Sequence, residues 1–310
     1  MQRYSVFPVP APARSATAAM GNFDGVHRGH LSVIETAREA RPDAPLGIIT
    51  FEPHPRSFFA PDSPPFQLMN AEAKASRLAK IGVEQLYEVP FTRDLSQLTP
   101  ETFCKNVLVR DLGISHLVVG ADFCFGKGRA GNADKLVREG VRLGFGVTIA
   151  PLLDGGDGAV SSTAIRRALA EGEVERARDM LGHWHRVEGV VKHGFKRGRE
   201  MGFPTANIAM EGLHLPRFGI YAVFVDVLDG PHRGAHLGCA SLGSRPTFGD
   251  HAPNLEVFLL DFKGDLYGAT LSVALAAFQR QELKFDGMEP LMAQMREDVV
   301  TARSLLAERV

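Results

Sequence analysis

Cysteine and tryptophan are scarce in this sequence, and neither sign of charge is in excess. Its three cysteines lie far apart at positions 104, 124 and 239, unlike a disulfide framework or a zinc-binding spacing. Lysine and arginine total 35 against 36 aspartates and glutamates, so no bulk charge attracts nucleic acid or an anionic membrane. No apolar run approaches the roughly 18 residues of a membrane-spanning helix, and the proline-containing N-terminus has no signal-peptide core. We expect a cytoplasmic enzyme that acts on small molecules without nucleic-acid or membrane partners; self-association stays open.

The pattern of apolar runs changes near residue 183. Before it, short apolar runs alternate with helical patterns, which is typical of a parallel sheet that binds ligands at the carboxyl ends of its strands. After it, strand-like runs separated by glycine turns indicate an antiparallel barrel, followed by a helix with an apolar stripe. We predict an α/β domain over 1–182 and an all-β domain over 183–310. The predicted strands are 15–20, 46–51, 85–89, 116–120, 146–151, 187–191, 220–227, 236–240, 255–262 and 270–277, and the predicted helices are 29–40, 71–81, 100–112, 133–143, 163–171 and 288–307.

Residues 21–30 form the most informative stretch, Gly-Asn-Phe-Asp-Gly-Val-His-Arg-Gly-His. A helix that begins near His27 places the rings of His27 and His30 on one face of its first turn. The unpaired N–H groups and the dipole of that turn attract anions. Glycines at positions 21, 25 and 29 let a large group approach the backbone closely. The stretch therefore predicts a site for the phosphates of a nucleotide, with imidazole donors beside them.

A second anion site is predicted in the run Val-Ser-Ser-Thr-Ala-Ile-Arg-Arg over residues 160–167. Ser162 or Thr163 can cap a helix there. Arg166 would then project near the first turn, where its guanidinium can clamp phosphate oxygens. Together with residues 21–30, this segment is expected to supply the second side of a triphosphate pocket.

Two further segments follow predicted strands of the first domain. Residues 50–55, Thr-Phe-Glu-Pro-His-Pro, leave a strand toward the ligand crevice. Residues 126–131 form a Gly-x-Gly-x-x-Gly with Asp154 downstream, so a dinucleotide fingerprint stays open, although the segment follows a middle strand and a long polar loop precedes the helix. The near match to a P-loop fails at Gly128, where serine or threonine is required. A loop that stacks Phe123 and Phe125 on a ring ligand fits the residues better.

Polar residues also interrupt the strands of the second domain. Thr205 and Asn207 are two residues apart, so in an extended segment they point the same way, and their oxygens are ligands that Mg²⁺ accepts beside nucleotide phosphates. Glu256 lies inside an apolar strand, where a charged side chain needs a partner or a functional role. Glu256 could act as the general base for a hydroxyl nucleophile. Alternatively, it lies on the exposed face of an alternating strand. Arg245 lies in a tight turn that we expect near the same barrel end.

With these motifs in place, the chain resembles the bacterial bifunctional riboflavin kinase/FAD synthetase family from Gly21 to about Arg303. The motifs that carry the resemblance are residues 21–30, 50–55, 120–131, 161–166, 202–207, 245–249 and 261–268. The resemblance implies a Rossmann-like nucleotidyltransferase sheet followed by a six-stranded antiparallel β-barrel with a terminal helix. It also implies the reactions: riboflavin and ATP give FMN, then FMN and ATP give FAD and pyrophosphate, with Mg²⁺ as cofactor.

The resemblance also implies roles for individual residues. His27 and His30 would stabilise charge on the transferred group, and Arg166 would hold the departing pyrophosphate. Glu256 would take the proton from the riboflavin 5′-hydroxyl. The implied ATP and phosphate contacts are Gly21, Asn22, Phe23, Asp24, Gly25, Gly29, Ser161, Ser162, Thr163, Gly202, Pro204 and Thr205; the implied flavin contacts are Pro53, Pro55, Asp122, Phe123, Phe125 and Arg245; the implied Mg²⁺ ligands are Thr205 and Asn207.

Two other functions stay open on the sequence alone. A flavin-binding or regulatory protein with inactive sites would hold flavin without turning over ATP. A monofunctional nucleotidyltransferase would use another acceptor, and its barrel would serve only for binding. The identity of the products separates these functions from the bifunctional one.

Overall fold

A computed structural model describes residues 1–151, 160–193, 202–244 and 253–309. The chain forms two compact units. Unit 1 contains residues 1–63 and 74–160, and unit 2 contains residues 64–73 and 161–310. The chain therefore enters unit 2 twice, first for a short segment and later for the rest of its length.

The strands of unit 1 are β1 (Gln2–Tyr4), β2 (Thr17–Met20), β3 (Leu46–Glu52), β4 (Gln85–Pro90), β5 (His116–Gly120), β6 (Cys124–Phe125), β7 (Gly131–Asn132) and β8 (Gly146–Ala150). Six of them form a parallel sheet in the order β1–β4–β3–β2–β5–β8, and β6 pairs with β7 in a small antiparallel hairpin. The predicted parallel sheet is confirmed, including β2. The short strands β1, β6 and β7 were missed, because strands of two or three residues carry no periodic signal.

The first part of the chain contains helices α1 (Arg28–Ala40), α2 (Pro55–Phe59), α3 (Ala71–Lys80), α4 (Arg93–Ser96), α5 (Pro100–Phe103) and α6 (Ala133–Leu143). The helix predicted over 100–112 changes type after its first turn, since residues Cys104–Leu112 form a π-helix. Thr99 caps its start, with Oγ1 accepting from the N–H of Thr102 at 3.2 Å. Gly113, at φ 62°, ends it in the left-handed conformation.

The direction of winding in the parallel sheet reverses beside β2. From β2 the chain moves to β3 and then β4 on one side, whereas β5 and β8 lie on the other side. β2 is hydrogen-bonded to both β3 and β5. In open parallel sheets, ligands bind at such a switch point, outside the carboxyl ends of the strands. Residues 21–27 follow β2 and residues 121–132 follow β5, so both predicted segments lie at this switch point.

Unit 2 contains strands β9 (Arg186–Val190), β10 (Ala206–Ala209), β11 (Gly219–Val227), β12 (Gly234–Gly243), β13 (Asn254–Leu259) and β14 (Thr270–Arg280), with helices α7 (Ser162–Glu171), α8 (Val174–Leu181) and α9 (Met288–Ala307). The strands form an antiparallel sheet in the order β10–β13–β12–β11–β14–β9. The edge strands meet where the N–H of Lys192 donates to the carbonyl of Asn207 at 2.9 Å. A side chain at Gly189 would lie 2.6 Å from the Ile208 methyl group, so glycine permits this approach. The expected six-stranded barrel is therefore nearly closed.

Residues 64–73 belong to the barrel unit although they are distant from it in sequence. The N–H of His214 donates to the carbonyl of Gln67 at 2.8 Å. Leu68 is buried in the same apolar cluster as the barrel interior and the α7 residue Ile165. The Asn70 side chain donates to the carbonyl of Glu188 at 2.8 Å. Backbone and core contacts thus hold this short segment in unit 2.

Helix α9 packs on the outside of the barrel. Ala302 and Leu306 are buried with Cys239, whereas Met288 at the start of the helix is 58% exposed. The predicted apolar stripe is therefore buried only in the second half of the helix. Within the described ranges, no helix combines the length and the apolar character needed to cross a membrane.

Candidate functional site

Residues 21–27 form a tight loop between β2 and α1, which we call the histidine loop. The Gly21 N–H donates to the Ile49 carbonyl of β3 at 3.1 Å. Three of the loop residues are left-handed: Phe23 at φ 49°, Gly25 at φ 90° and Val26 at φ 44°. A β-branched residue rarely adopts this conformation, which costs about 1–3 kcal/mol. The side chains of Phe23 and Val26 are buried in unit 1, and this burial holds the strained backbone in place.

His27 is the N-cap of α1. Its Nδ1 accepts from the N–H of His30 at 3.2 Å, and the two rings stack with their centroids 3.6 Å apart. Because Nδ1 accepts a hydrogen bond, the proton of the neutral His27 ring is on Nε2. The sequence prediction that both rings lie on one face of the first helical turn is confirmed. The arrangement gives the N-terminus of a thirteen-residue helix an imidazole N–H donor.

His30 is held without a proton near neutral pH. Burial, then the neighbouring His27, then the charge of Lys74 hold the pKa of His30 well below its usual range. In the described part of the chain, its buried Nδ1 has no hydrogen-bond partner. A buried polar atom of this kind is a candidate for contact with a ligand or an ordered water.

The three glycines of residues 21–30 differ in what they do. Gly25 alone has a positive φ. A side chain at Gly29 would lie 3.2 Å from the ring of His27, so this glycine makes room for His27. A side chain at Gly21 would make an ordinary contact with Phe23. The expected close approach of a large ligand to Gly21, Gly25 and Gly29 stays a prediction.

A buried cation lies at the end of β3, and sequence reasoning missed it. Lys74 Nζ is 2.7 Å from Glu52 Oε1 and 3.3 Å from Thr50 Oγ1. Pro53 and Pro55 follow directly, and Pro55 begins α2, whose N-cap is His54. No local signal marks Lys74, because its burial depends on strand residues more than twenty positions earlier.

Phenylalanine rings connect the two predicted flavin segments of unit 1. Phe123 stacks on Phe125 with ring centroids 5.8 Å apart, and the β6–β7 hairpin carries Phe125 against Phe103. From Phe103 the contacts continue to Phe51. They then reach the remaining rings of the series, Phe91, Phe58 and Phe59. Phe59 at the end of the series is 66% exposed, so its ring is open to solvent.

Asp122 is the remaining predicted flavin contact within residues 120–131, and it is exposed. Its Oδ1 lies 3.1 Å from the position that a Cβ atom would take if residue 120 were not glycine. Gly126 and Gly128 both have positive φ in the short turn between β6 and β7. These glycines therefore shape a hairpin turn. The segment does not run from a strand directly into a helix as a dinucleotide fingerprint requires.

Ser161, one residue earlier than expected, caps helix α7 of unit 2. Its Oγ accepts from the N–H of Ala164 at 3.2 Å. The expectation that Ser162 or Thr163 caps this helix is therefore wrong, since both are helical residues of the first turn. Arg166 Nε donates to the carbonyl of Phe66 at 2.6 Å, and its guanidinium lies over the Phe66 ring. This fixes the side chain of Arg166.

Polar residues of the barrel meet on β10 and β13. Thr205 Oγ1 donates to Glu256 Oε2 at 3.4 Å, and Asn207 is directly opposite Glu256 in the strand register. Asn254 Nδ2 donates to Asn207 Oδ1 at 3.0 Å, so a fourth residue orients the amide. Sequence reasoning missed Asn254. The side chains of Thr205, Asn207 and Glu256 lie together as predicted.

These groups lie on the outer face of the barrel wall. Along β13, Leu255, Val257 and Leu259 are buried in the barrel core, and Glu256 alternates with them. Ser241 of β12 is opposite Glu256 on its other side. Gly202, at φ 81°, and Pro204 precede the site. The predicted contact Arg245 and the glycine-containing run 194–201 lie outside the described residues.

Comparison with known proteins agrees with this division of sites. The family model described as FAD synthetase matches residues 9–164, and the model described as riboflavin kinase matches residues 181–306. The chain belongs to the bifunctional riboflavin kinase/FMN adenylyltransferase family. A relative of that description from Pseudomonas fluorescens is 40% identical over 297 residues, which are 95% of this chain and 94% of the relative. One from Escherichia coli strain K12 is 38% identical, with 94% and 93% covered.

A solved structure supports the same fold. The structure of a protein named macrolide-efflux protein from Streptococcus pneumoniae matches with a TM-score of 0.82 at 29% identity. The match covers 97% of this chain and 98% of that protein.

The chain therefore carries two transferase activities of flavin cofactor synthesis, riboflavin kinase and FMN adenylyltransferase. The FAD synthetase match contains the histidine loop and the phenylalanine series. The riboflavin kinase match contains Thr205, Asn207 and Glu256. The two candidate sites thus lie in the two different family matches.

Proposed function

We propose that the barrel phosphorylates riboflavin with Glu256 as the general base. The observation that supports this most directly is the contact of Glu256 with Thr205, which brings a carboxylate to hydroxyl and amide oxygens suited to an ATP–metal complex. Glu256 takes the proton of the riboflavin 5′-hydroxyl. The oxygen then bonds to the γ-phosphorus of ATP, and ADP leaves with the electron pair of the broken bond. A primary hydroxyl is a poor nucleophile, so a positioned base contributes about 10²–10⁴-fold.

The residues at this site fit Mg²⁺. Threonine hydroxyl, amide and carboxylate oxygens are hard ligands of the kind this ion prefers. The described residues contain no group of three or more histidine, cysteine, aspartate or glutamate side chains that could hold a metal. Thr205 and Asn207 would hold the ion together with the phosphates of ATP, because they supply a hydroxyl and an amide oxygen. When bound, Mg²⁺ supplies positive charge to the phosphate oxygens.

Adenylyl transfer is assigned to the histidine loop. An oxygen of the FMN phosphate bonds to the α-phosphorus of ATP, and pyrophosphate leaves. The FMN phosphate is already ionised, so this step needs positioning and charge stabilisation more than a base. The His27 Nε2–H and the first turn of α1 supply donors for the phosphates. The role of Arg166, Ser161, Ser162 and Thr163 in holding pyrophosphate stays a prediction from the family resemblance.

The exposed Phe59 is assigned to the flavin of the adenylylation step. Replacement of Phe59 by alanine is expected to raise the KM for FMN about 5- to 30-fold, because a stacking ring contributes about 1–2 kcal/mol when removed. The measurement is FAD formation over a range of FMN concentrations. Phe59→Trp should retain a low KM, and FMN formation from riboflavin should be unchanged in both variants. An unchanged KM in Phe59→Ala would remove this residue from the flavin site.

The overall proposal is tested by incubating the protein with riboflavin, ATP and Mg²⁺ and separating the flavins over time. FMN should appear first and FAD later. FMN without FAD would exclude the histidine-loop assignment, and FAD from supplied FMN without conversion of riboflavin would exclude the barrel assignment. Bound flavin with no conversion would support a binding protein.

The metal assignment gives a prediction of its own. Asn207→Ala is expected to raise the Mg²⁺ concentration for half-maximal FMN formation about 10-fold, because one hard oxygen ligand is lost. FAD formation from supplied FMN should keep its Mg²⁺ dependence. Titrations of both activities with Mg²⁺ check this. An equal shift in both activities would contradict the assignment.

A further inference from the structure

A buried ion pair at the end of β3 has no part in the reactions described above. The Lys74 side chain is 3% exposed, and its Nζ lies 2.7 Å from Glu52 Oε1. Lysine is almost never fully buried without a partner, because its charge is costly to remove from water. A buried ion pair of this kind adds little net stability compared with an apolar replacement. Stability alone therefore does not explain Lys74.

Lys74 also determines the direction of a chain of hydrogen bonds. The ammonium group can only donate, so Thr50 Oγ1 accepts from Lys74 Nζ at 3.3 Å. The single hydroxyl hydrogen of Thr50 is then directed to the Asn22 carbonyl, 3.3 Å away. Asn22 is the second residue of the histidine loop. A cation on α3 thus fixes a carbonyl in the loop that presents His27 and His30.

The same cation acts on His30 through its charge. His27 of the histidine loop and Lys74 of α3 both add to burial in lowering the pKa of His30. Removal of the lysine charge therefore favours a proton on His30.

We propose that Lys74 is a positioning residue for adenylyl transfer: through Thr50 it fixes the Asn22 carbonyl, and with it the histidine loop that receives the phosphates of ATP. The inference rests on the proposed role of His27 and His30. It adds a residue from a different element, whose contribution reaches the substrate only through that loop.

The test compares Lys74→Met, Thr50→Val and the double variant. Each single variant is expected to lower kcat/KM for ATP in FAD formation from FMN by about 10- to 100-fold, since small displacements of binding groups have effects of this size. The double variant should be no worse than the more damaged single variant, because both changes break one chain of bonds. Lys80→Met, at the exposed end of the same helix, is the matched control and should retain full activity.

Two further readouts distinguish positioning from a structural role. FMN formation from riboflavin should be unchanged in all variants. The apparent pKa in the pH profile of kcat/KM for ATP should be higher in Lys74→Met than in the unmodified protein. In Thr50→Val and in Lys74→Arg, the apparent pKa should equal that of the unmodified protein. Any one of four results would overturn the proposal. These are additive effects in the double variant, full FAD formation in Thr50→Val, parallel loss of both activities, and an unchanged pH profile in Lys74→Met. Full FAD formation in His27→Asn would instead remove the proposed histidine role, whatever the lysine variants show.

Discussion

Replacement of Glu256 by glutamine is expected to lower kcat for FMN formation from riboflavin by about 10²–10⁴-fold. The amide keeps the size of the side chain and can still contact Thr205, but it cannot take the proton of the 5′-hydroxyl. Because Glu256 lies on the outer face of the barrel wall, the change leaves the apolar core intact. The measurement is the initial rate of FMN formation at saturating ATP and riboflavin.

The same chain supplies the control for this result. FAD formation from supplied FMN should be unchanged in Glu256→Gln, since that step is assigned to the histidine loop. Glu211→Gln, at an exposed position near β10, should leave both rates unchanged. A kinase rate equal to that of the unmodified protein would remove Glu256 as the base. Loss of both rates would indicate a folding defect.

Replacement of His27 by asparagine is expected to lower FAD formation from FMN by about 10²–10³-fold, the usual effect of removing one preorganised donor from a transition state. Asparagine is a good N-cap, so its Oδ1 can still accept from the His30 N–H and preserve the start of α1. The substitution therefore removes the Nε2 donor without removing the cap. FMN should accumulate when this variant is incubated with riboflavin and ATP.

His27→Ala completes this comparison. It should lose FAD formation to the same extent as His27→Asn, and it should also lose about 1 kcal/mol of stability in unit 1, because the cap is gone. Thermal unfolding measures this difference. If only His27→Ala were inactive, the role of His27 would be that of a cap, and the donor assignment would be contradicted.

The sequence predicts much of this fold because its signals are local. Alternating apolar runs define the parallel sheet, and the proline after Thr99 marks a helix start that the structure confirms. The helix over 100–112 was predicted at the right place but of the wrong type, since no local signal in these residues marks the wider hydrogen bonds of a π-helix. The cap at Ser161 was assigned one or two residues late, because three adjacent hydroxyl residues carry equal capping signals.

The site was predictable where a motif is contiguous and was missed where it is assembled from distant residues. His27 and His30 are three residues apart, so their stacking follows from the period of a helix. Lys74 is identified by its contacts with Thr50 and Glu52, and Asn254 by its hydrogen bond to Asn207. These contacts form only when strands and helices pack together, and no spacing in the sequence predicts them.

A cut between residues 160 and 161 would divide the barrel unit, because residues 64–73 belong to it. Residues 64–73 leave unit 1, contribute Leu68 to the barrel core, and return to unit 1 before Lys74. A fragment that starts at residue 161 lacks this segment, and a fragment that ends at residue 160 carries it away from its apolar surroundings. Residues 161–310 without residues 64–73 are therefore expected to lose the apolar contacts that Leu68 makes in the barrel core.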